Sequence, residues 1–279
     1  MNGALTAIFS TLLDPLAVLD PALVLSLVAL ATALLMLLVF RLTSNQEGIR
    51  RAKARVIGQL LAIRLFPDDP WVTLRSLGGA LRDNLVYLRH SLVPFLVLLA
   101  PLVLLLVQLD LRFSRLPLRP GESTTVGVVL AEPASAAPPD LRLEAPAGLA
   151  VETPALWIPS LREVNWRVRA EKPGAYELRF ANGARSFSKD LVVAAEGSTH
   201  CRAPLVKLST ERTGGGFLAE VFHPAEPRLA ADLEVASAYV DYPPREFKLL
   251  GFRMHWLVAY FVLSLAIAFL LKRPLGVEV

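Results

Sequence analysis

Three stretches of the chain break the usual mixing of apolar and polar positions. Residues 22 to 40, ALVLSLVALATALLMLLVF, run for 19 positions without a charge, and residues 92 to 109 and 254 to 271 run for 18 each without Lys, Arg, Asp or Glu. At about 1.5 Å of rise per residue, such a run makes roughly 28 Å of helix, close to the thickness of a bilayer's hydrocarbon core. One ionised side chain at mid-membrane costs about 2.5 to 3.5 kcal/mol, so uninterrupted runs of this length predict three transmembrane helices. Pro94 and Pro101 fit that environment, because neighbouring helices re-satisfy the carbonyls that proline frees.

Residues 1 to 21 hold no Lys or Arg, which a secretory signal requires at its start. Leu5, Ile8, Phe9, Leu12, Leu13 and Leu16 recur there at helical spacing, predicting an outer segment lying in the membrane interface. Asp20-Pro21 supplies a helix start, with Asp as N-cap and Pro at the first helical position, and Asp14-Pro15 repeats the pair.

Residues 41 to 91 have a helical period. Ser44 and Glu47 have capping-box spacing, and Ile49, Ala52, Val56, Leu60 and Ile63 form one stripe. Pro67-Asp68-Asp69-Pro70 ends that helix and starts another, whose stripe is Leu74, Leu77, Leu81, Leu85 and Leu88. Two such stripes joined by a short turn predict an αα-hairpin that buries them against each other and runs straight into the second span.

From residue 110 to 253 the period shortens. VNWRVRA, AYELRFA and SFSKDLVVA are strand-length runs, and Val164, Trp166 and Val168 alternate with Asn165, Arg167 and Arg169 as a strand with one wet face requires. Lys172-Pro173-Gly174 and Asn182-Gly183 are turn signals, the second typical of a two-residue hairpin. Short strands at this spacing predict a β-sandwich, with Trp166 and Tyr176 in its interior. Gly174-Ala175-Tyr176-Glu177-Leu178 resembles the tyrosine-corner stretch of an immunoglobulin-like domain, with Leu178 where antibody domains have Cys. About 140 residues are enough to bury a core without disulfides.

Charge then orients the chain. The 29 basic and 25 acidic residues give a net charge of +4. Arg41, Arg50, Arg51, Lys53 and Arg55 all follow the first span and none precedes it, which puts the N-terminus outside, residues 41 to 91 and the tail 272 to 279 in the cytoplasm, and residues 110 to 253 outside. Arg112, Arg115, Arg119, Arg245, Lys248 and Arg253 flank the later spans on the outer side and oppose this assignment. Cys placed at Ser44 is accordingly expected to resist a membrane-impermeant thiol reagent in intact cells, whereas native Cys201 reacts once unfolding exposes it. Labelling at position 44 would invert the whole topology.

Candidate chemistry is sparse. Arg50, Arg51, Lys53 and Arg55 form a basic face suited to lipid headgroups or a protein partner; they lack the aromatic interleaving or tail-like charge block of a nucleic-acid binder. His200, Cys201 and His223 lack further ligands at metal spacing. Gly214-Gly215-Gly216 has no following Lys-Ser or Lys-Thr and reads as a flexible connection rather than a phosphate loop. Nothing places a nucleophile or paired carboxylates in one pocket. His255 and Trp256 stand at the mouth of the third span, where Trp256 is expected as an interface anchor.

RLFPDDPW, NLVYLRHSLVPFLVLLAPLVLLLVQL, PLRPGE and the closing YPPREFKLLGFRMHWLVAYFVLSLAIAFLLKRPLGVEV resemble uncharacterised bacterial inner-membrane proteins. More distantly, the order of outer N-terminus, helix, basic cytoplasmic hairpin, helix and final helix is similar in architecture to the core of the YidC/Oxa insertase superfamily. Here a β-rich stretch precedes the last helix, and Ser26, Thr32, Gln108 and Ser264 are the polar residues singled out in the spans, none of them charged. The expected molecule is therefore membrane α plus β: three transmembrane helices, a cytoplasmic αα-hairpin and an extracytoplasmic immunoglobulin-like β-sandwich. It is expected to be a non-enzymatic envelope scaffold without cofactor, metal, nucleic acid or small-molecule substrate, contacting membrane lipid and envelope proteins. The insertase resemblance implies the alternative, a membrane-protein chaperone.

Overall fold

A computed structural model of the chain describes residues 2–43, 46–65, 69–131, 140–183, 185–195, 205–249 and 251–277. It combines helices with antiparallel β-sheets, an α+β architecture. Two compact units emerge, one of residues 1–25 and 104–256 and the other of 26–103 and 257–279.

Helix α1 (Asn2–Leu13) continues as a 3-10 turn over Asp14–Val18, and α2 (Pro21–Thr43), α3 (Gln46–Leu65) and α4 (Pro70–Phe113) follow. The caps form as the sequence requires. Asp20 Oδ1 accepts the Ala22 amide at 2.8 Å, and Asp69 Oδ1 accepts those of Trp71 and Val72 at 3.0 and 3.1 Å; each carboxylate satisfies amides that a helix start leaves free. The capping box at Ser44 lies outside the described residues. Among the described residues two helices are long and apolar enough to cross a membrane, Pro21–Thr43 and the Phe95–Phe113 part of α4.

The hairpin helices bury a different face of α4 from the expected one. Leu74, Leu77, Leu81, Leu85 and Leu88 are all exposed, whereas Ser76 and Ala80 are buried. Gly79 leaves room for α3, since a Cβ there would stand 2.8 Å from the Gln59 side chain, and Asp83 meets Arg55 of α3 at 3.3 Å. Periodicity identifies residues that share a face but not the face that finds a partner. Gly79 on α4 admits the long Gln59, Asp83 meets Arg55, and the leucines are left outside.

Strands β1 (Ser123–Leu130), β2 (Leu141–Glu144), β3 (Leu149–Val151), β4 (Leu156–Ile158), β5 (Glu163–Ala170), β6 (Gly174–Asn182), β7 (Arg185–Val193) and β8 (Glu211–Thr213) precede a short helix, α5 (Phe217–Phe222). Strands β9 (Val235–Val240), β10 (Glu246–Leu249) and β11 (Phe252–His255) then lead into α6 (Trp256–Leu271). The larger sheet has the order β3-β5-β1-β9-β8, with β4 also on β5; β2-β6-β7 form a second sheet and β10-β11 a hairpin.

The first two sheets share one core. Val126, Val128, Val164, Trp166 and Val168 from the larger meet Leu141, Leu178, Phe180, Phe187 and Leu191 from the smaller. Trp166 packs tilted on Phe180 at 5.6 Å, and Phe180 stacks on Phe187 at 4.9 Å. Tyr176 is partly buried against this core, and its hydroxyl donates to the Lys172 carbonyl at 2.8 Å. Gly148 makes this position workable: its φ is +110°, and a Cβ would stand 2.4 Å from that hydroxyl oxygen, so a larger residue meets both strain and collision.

Two expected boundaries move. Asn182 pairs with Arg185 as the last strand pair, so Asn182 belongs to the strand and not to the turn. Met254 and His255 belong to β11, paired with Phe247 and Glu246, so the last helix starts at Trp256 rather than 254. An apolar window cannot separate helix from strand where the run abuts a hairpin.

Candidate functional site

The most concentrated buried polar chemistry lies beside β7. Along this strand Phe187, Lys189, Leu191 and Val193 face inward, so Lys189 enters an apolar row and requires a counter-charge. Glu226, in the loop after α5, supplies it: Lys189 Nζ donates to Glu226 Oε2 at 2.6 Å, to the Ser209 carbonyl at 2.5 Å and to Ser209 Oγ at 3.0 Å. The side chains are 0% and 4% exposed. Ser209 also hydrogen-bonds Glu226, whose Oε1 accepts the Asp190 amide at 2.7 Å. Burial pushes the Lys189 ammonium down and Glu226 pulls it back up; burial raises the Asp190 carboxyl, with Glu226 adding to the rise.

A serine beside a lysine suggests nucleophilic catalysis, but that chemistry needs a neutral lysine and a substrate path. Here the lysine is held by a carboxylate and sealed from solvent. What the cluster does is tie β7, the 205–210 segment and the 223–229 loop together.

The same side chains close a sheet edge. Ser188 O accepts from Arg212, Asp190 N donates to Glu226, Val192 N donates to the Tyr242 hydroxyl at 2.9 Å, and Val192 O accepts from Leu118 N at 3.3 Å. Burial raises the Tyr242 phenol, which keeps it protonated. A nine-residue edge strand, against four residues in β2 at the other edge of its sheet, is thus closed to strand pairing along its middle. Beyond β8 the edge is likewise covered, with Leu229 N donating to Thr213 O at 3.1 Å. The opposite rim of the larger sheet, β3 and β4, instead exposes Val151, Leu156 and nearby Leu161.

A second buried polar group sits at the C-terminal end of α4. Arg112, 1% exposed, donates to Ser10 Oγ at 2.8 Å and lies 4.0 Å from Asp14, while Gln108 Nε2 donates to Thr6 Oγ1 at 3.0 Å. Helix α1 therefore turns Thr6 and Ser10 inward and leaves Ile8 and Leu12 exposed. Gln108 Oε1 and Arg112 Nε are buried without a hydrogen-bond partner among the described residues.

A cleft of about 600 Å³ is lined by Asp20, Leu116, Arg245, Glu246, Phe247, Lys248 and Arg253, among others. Its charges largely answer one another: Arg253 lies 3.7 Å from Glu246, and burial lowers Arg245 to about 10 while Asp20 pulls it back.

The residues singled out in the sequence do not converge on one pocket. Arg51 pairs with Glu47 within α3, and Arg55 is engaged by Asp83; Arg50 and Lys53 are exposed on the same helix. Trp256 heads α6, buried, with its indole N–H lacking a hydrogen-bond partner among the described residues. His200 and Cys201 lie outside the described residues, and His223 ends α5. Gly214 N donates to Ala236 O at 2.8 Å, extending the β8 pairing, and Gly216 precedes α5. Among the described residues no three His, Cys, Asp or Glu side chains gather as metal ligands.

The sequence signal for the buried pair was the inward parity of Lys189 in SFSKDLVVA, a charge in an apolar row. Glu226 had no such signal, being 37 residues away in a loop. Comparison with protein-family models, curated proteins and solved structures finds no match to this chain.

Proposed function

We propose that the chain is a non-enzymatic protein of the bacterial inner membrane, anchored by three spans, whose outer immunoglobulin-like sandwich docks an envelope protein. The observation that carries this reading is the unequal treatment of the sandwich edges. The β7 and β8 edges are closed by side chains and loops, while β3 and β4, the last strands on their side of the larger sheet, keep apolar residues exposed, a setting suited to strand addition.

For the third span, α6 contributes 16 residues without a charge, about 24 Å of helix. Val258, Phe261, Val262, Leu265, Phe269 and Leu270 are exposed, which suits a lipid-facing helix. Lys272 and Arg273 follow and can snorkel to the headgroups to accommodate its short length.

The insertase alternative has less support. Such an activity needs a polar groove open to a substrate helix, and the Arg112 cluster is covered by Thr6 and Ser10 of α1.

Two interventions test the docking role. Leu156→Asp with Leu161→Asp changes exposed side chains only, so folding and insertion are expected to persist while co-purifying envelope proteins are lost. Replacing residues 118 to 243 by a flexible linker should abolish complementation of a deletion strain. Full rescue by the shortened chain, inserted at normal levels, would sink the docking reading in favour of the insertase.

A further inference from the structure

The exposed face of α4 repeats with a period that the hairpin does not use. Trp71, Leu74, Gly78, Leu81, Leu85, Leu88, Leu92, Phe95 and Leu99 follow one another at alternating spacings of three and four. That is an unbroken heptad seam over four repeats, with Trp71, Gly78, Leu85, Leu92 and Leu99 at a and Leu74, Leu81, Leu88 and Phe95 at d. Every large residue of this seam is exposed, Leu81 by 60% and Leu85 by 67%. At Gly78 an added Cβ would meet nothing within 4 Å. Ser76, Gly79, Ala80 and Asp83, the side that meets α3 or is buried, occupy the b, c and f positions opposite. One face of the helix is therefore used within the chain and the other is a complete coiled-coil face without a partner among the described residues.

We infer that this seam is covered by the α4 helix of a second copy of the chain, in a parallel pair. Three features favour a second copy. First, α4 is continuous from Pro70 to Phe113, and the seam passes from the segment before the span into the span at Phe95. Two copies inserted in the same orientation present these seams in parallel and in register without further adjustment. Second, the charges agree. Arg75, Arg82 and Arg89 recur every seven residues at e, and in a parallel pair an e residue faces the partner's preceding g residue. The g positions hold Leu77, Asn84 and Ser91, so Arg82 meets Leu77, Arg89 meets Asn84, and no two like charges are opposed. An antiparallel pair would set arginine against arginine. Third, lipid is a poor cover for the first three heptads. A helix continuous with a span projects them, roughly 32 Å long, away from the bilayer, where a contiguous apolar stripe of that length needs a protein surface.

This inference rests on the membrane-spanning reading of α4 but not on any role of the outer domain. Its test uses the full chain in inverted membrane vesicles. In a Cys201→Ser background, single Cys residues replace Leu81, Leu85 and Leu88 at the seam, and Val86 and Tyr87 off it. Mild oxidation should give a disulfide-linked dimer at the three seam positions, at least about fivefold more than at positions 86 and 87. Leu85→Arg, which places two cations face to face in the seam, should convert the detergent-solubilised particle from two chains to one without reducing membrane insertion. Equal cross-linking at all five positions would mean random collision and overturn the inference. So would a particle holding a single copy, whether alone in lipid or joined to another protein. Labelling at position 44 separately reports the orientation, and the outer-rim variants leave the α4 dimer intact.

Discussion

Glu226→Gln is expected to destabilise the β domain by about 3 to 5 kcal/mol, the cost of leaving a buried charge without its partner. The substitution is nearly isosteric. The amide oxygen still accepts the Asp190 amide, and the amide nitrogen still reaches Ser209, so lost packing contributes little. What changes is that the Lys189 ammonium, fully buried, loses its only carboxylate within 4.0 Å among the described residues. Adding Lys189→Met removes that stranded charge, and the double variant should therefore be more stable than Glu226→Gln alone by more than about 1.5 kcal/mol. Urea unfolding of a fragment of residues 111 to 247, followed by far-ultraviolet circular dichroism, gives the values for both variants and for Lys189→Met alone, which completes the cycle. Additive effects would show that the two side chains do not stabilise each other, and the closure of the β7 edge would then need a different cause.

What could be read in the sequence depended on how local the deciding contact was. Asp20 and Asp69 cap their helices because the amides they accept lie two or three residues away, so the motif contains the whole interaction. Strands β5, β6 and β7 were legible for a related reason: alternation is built into each strand, and the inward row Val164, Trp166 and Val168 needs only some opposing sheet. Contacts across longer separations left weaker traces. The leucine stripe of α4 was visible as a stripe, yet its direction depended on Gly79 fitting Gln59 and Asp83 meeting Arg55, a matter of shape and charge between two helices. Arg112 illustrates the same limit. Next to an apolar run it looked like a flanking charge, and it is buried because Thr6 and Ser10 of α1 come back to cover it. Lys189 could have been suspected from its parity, but its partner and the closed edge they share could not.

Trp166→Ala is the second large effect, expected at about 3 to 5 kcal/mol in the same fragment. Val126 of β1 and, beyond it, Val240 of β9 continue its layer on one side, and across the core Phe180 holds it at 5.6 Å with Phe187 stacked behind. Truncation removes the indole's buried area and also the aromatic pair, worth about 0.5 to 1.5 kcal/mol beyond area. Collapse cannot refill the space cheaply, because β1 on one side of β5 and β3 and β4 on the other are held to it by their backbone ladders. Trp166→Phe restores the ring contact with Phe180 and should recover at least half of the loss. Phe180→Leu should cost more in the Trp166 background than in Trp166→Phe, since the wider indole has more contact to lose. A loss below about 1 kcal/mol for Trp166→Ala would mean that the indole does not fill the space between the sheets, and the shared core would have to be redrawn around Phe180 and Phe187 alone.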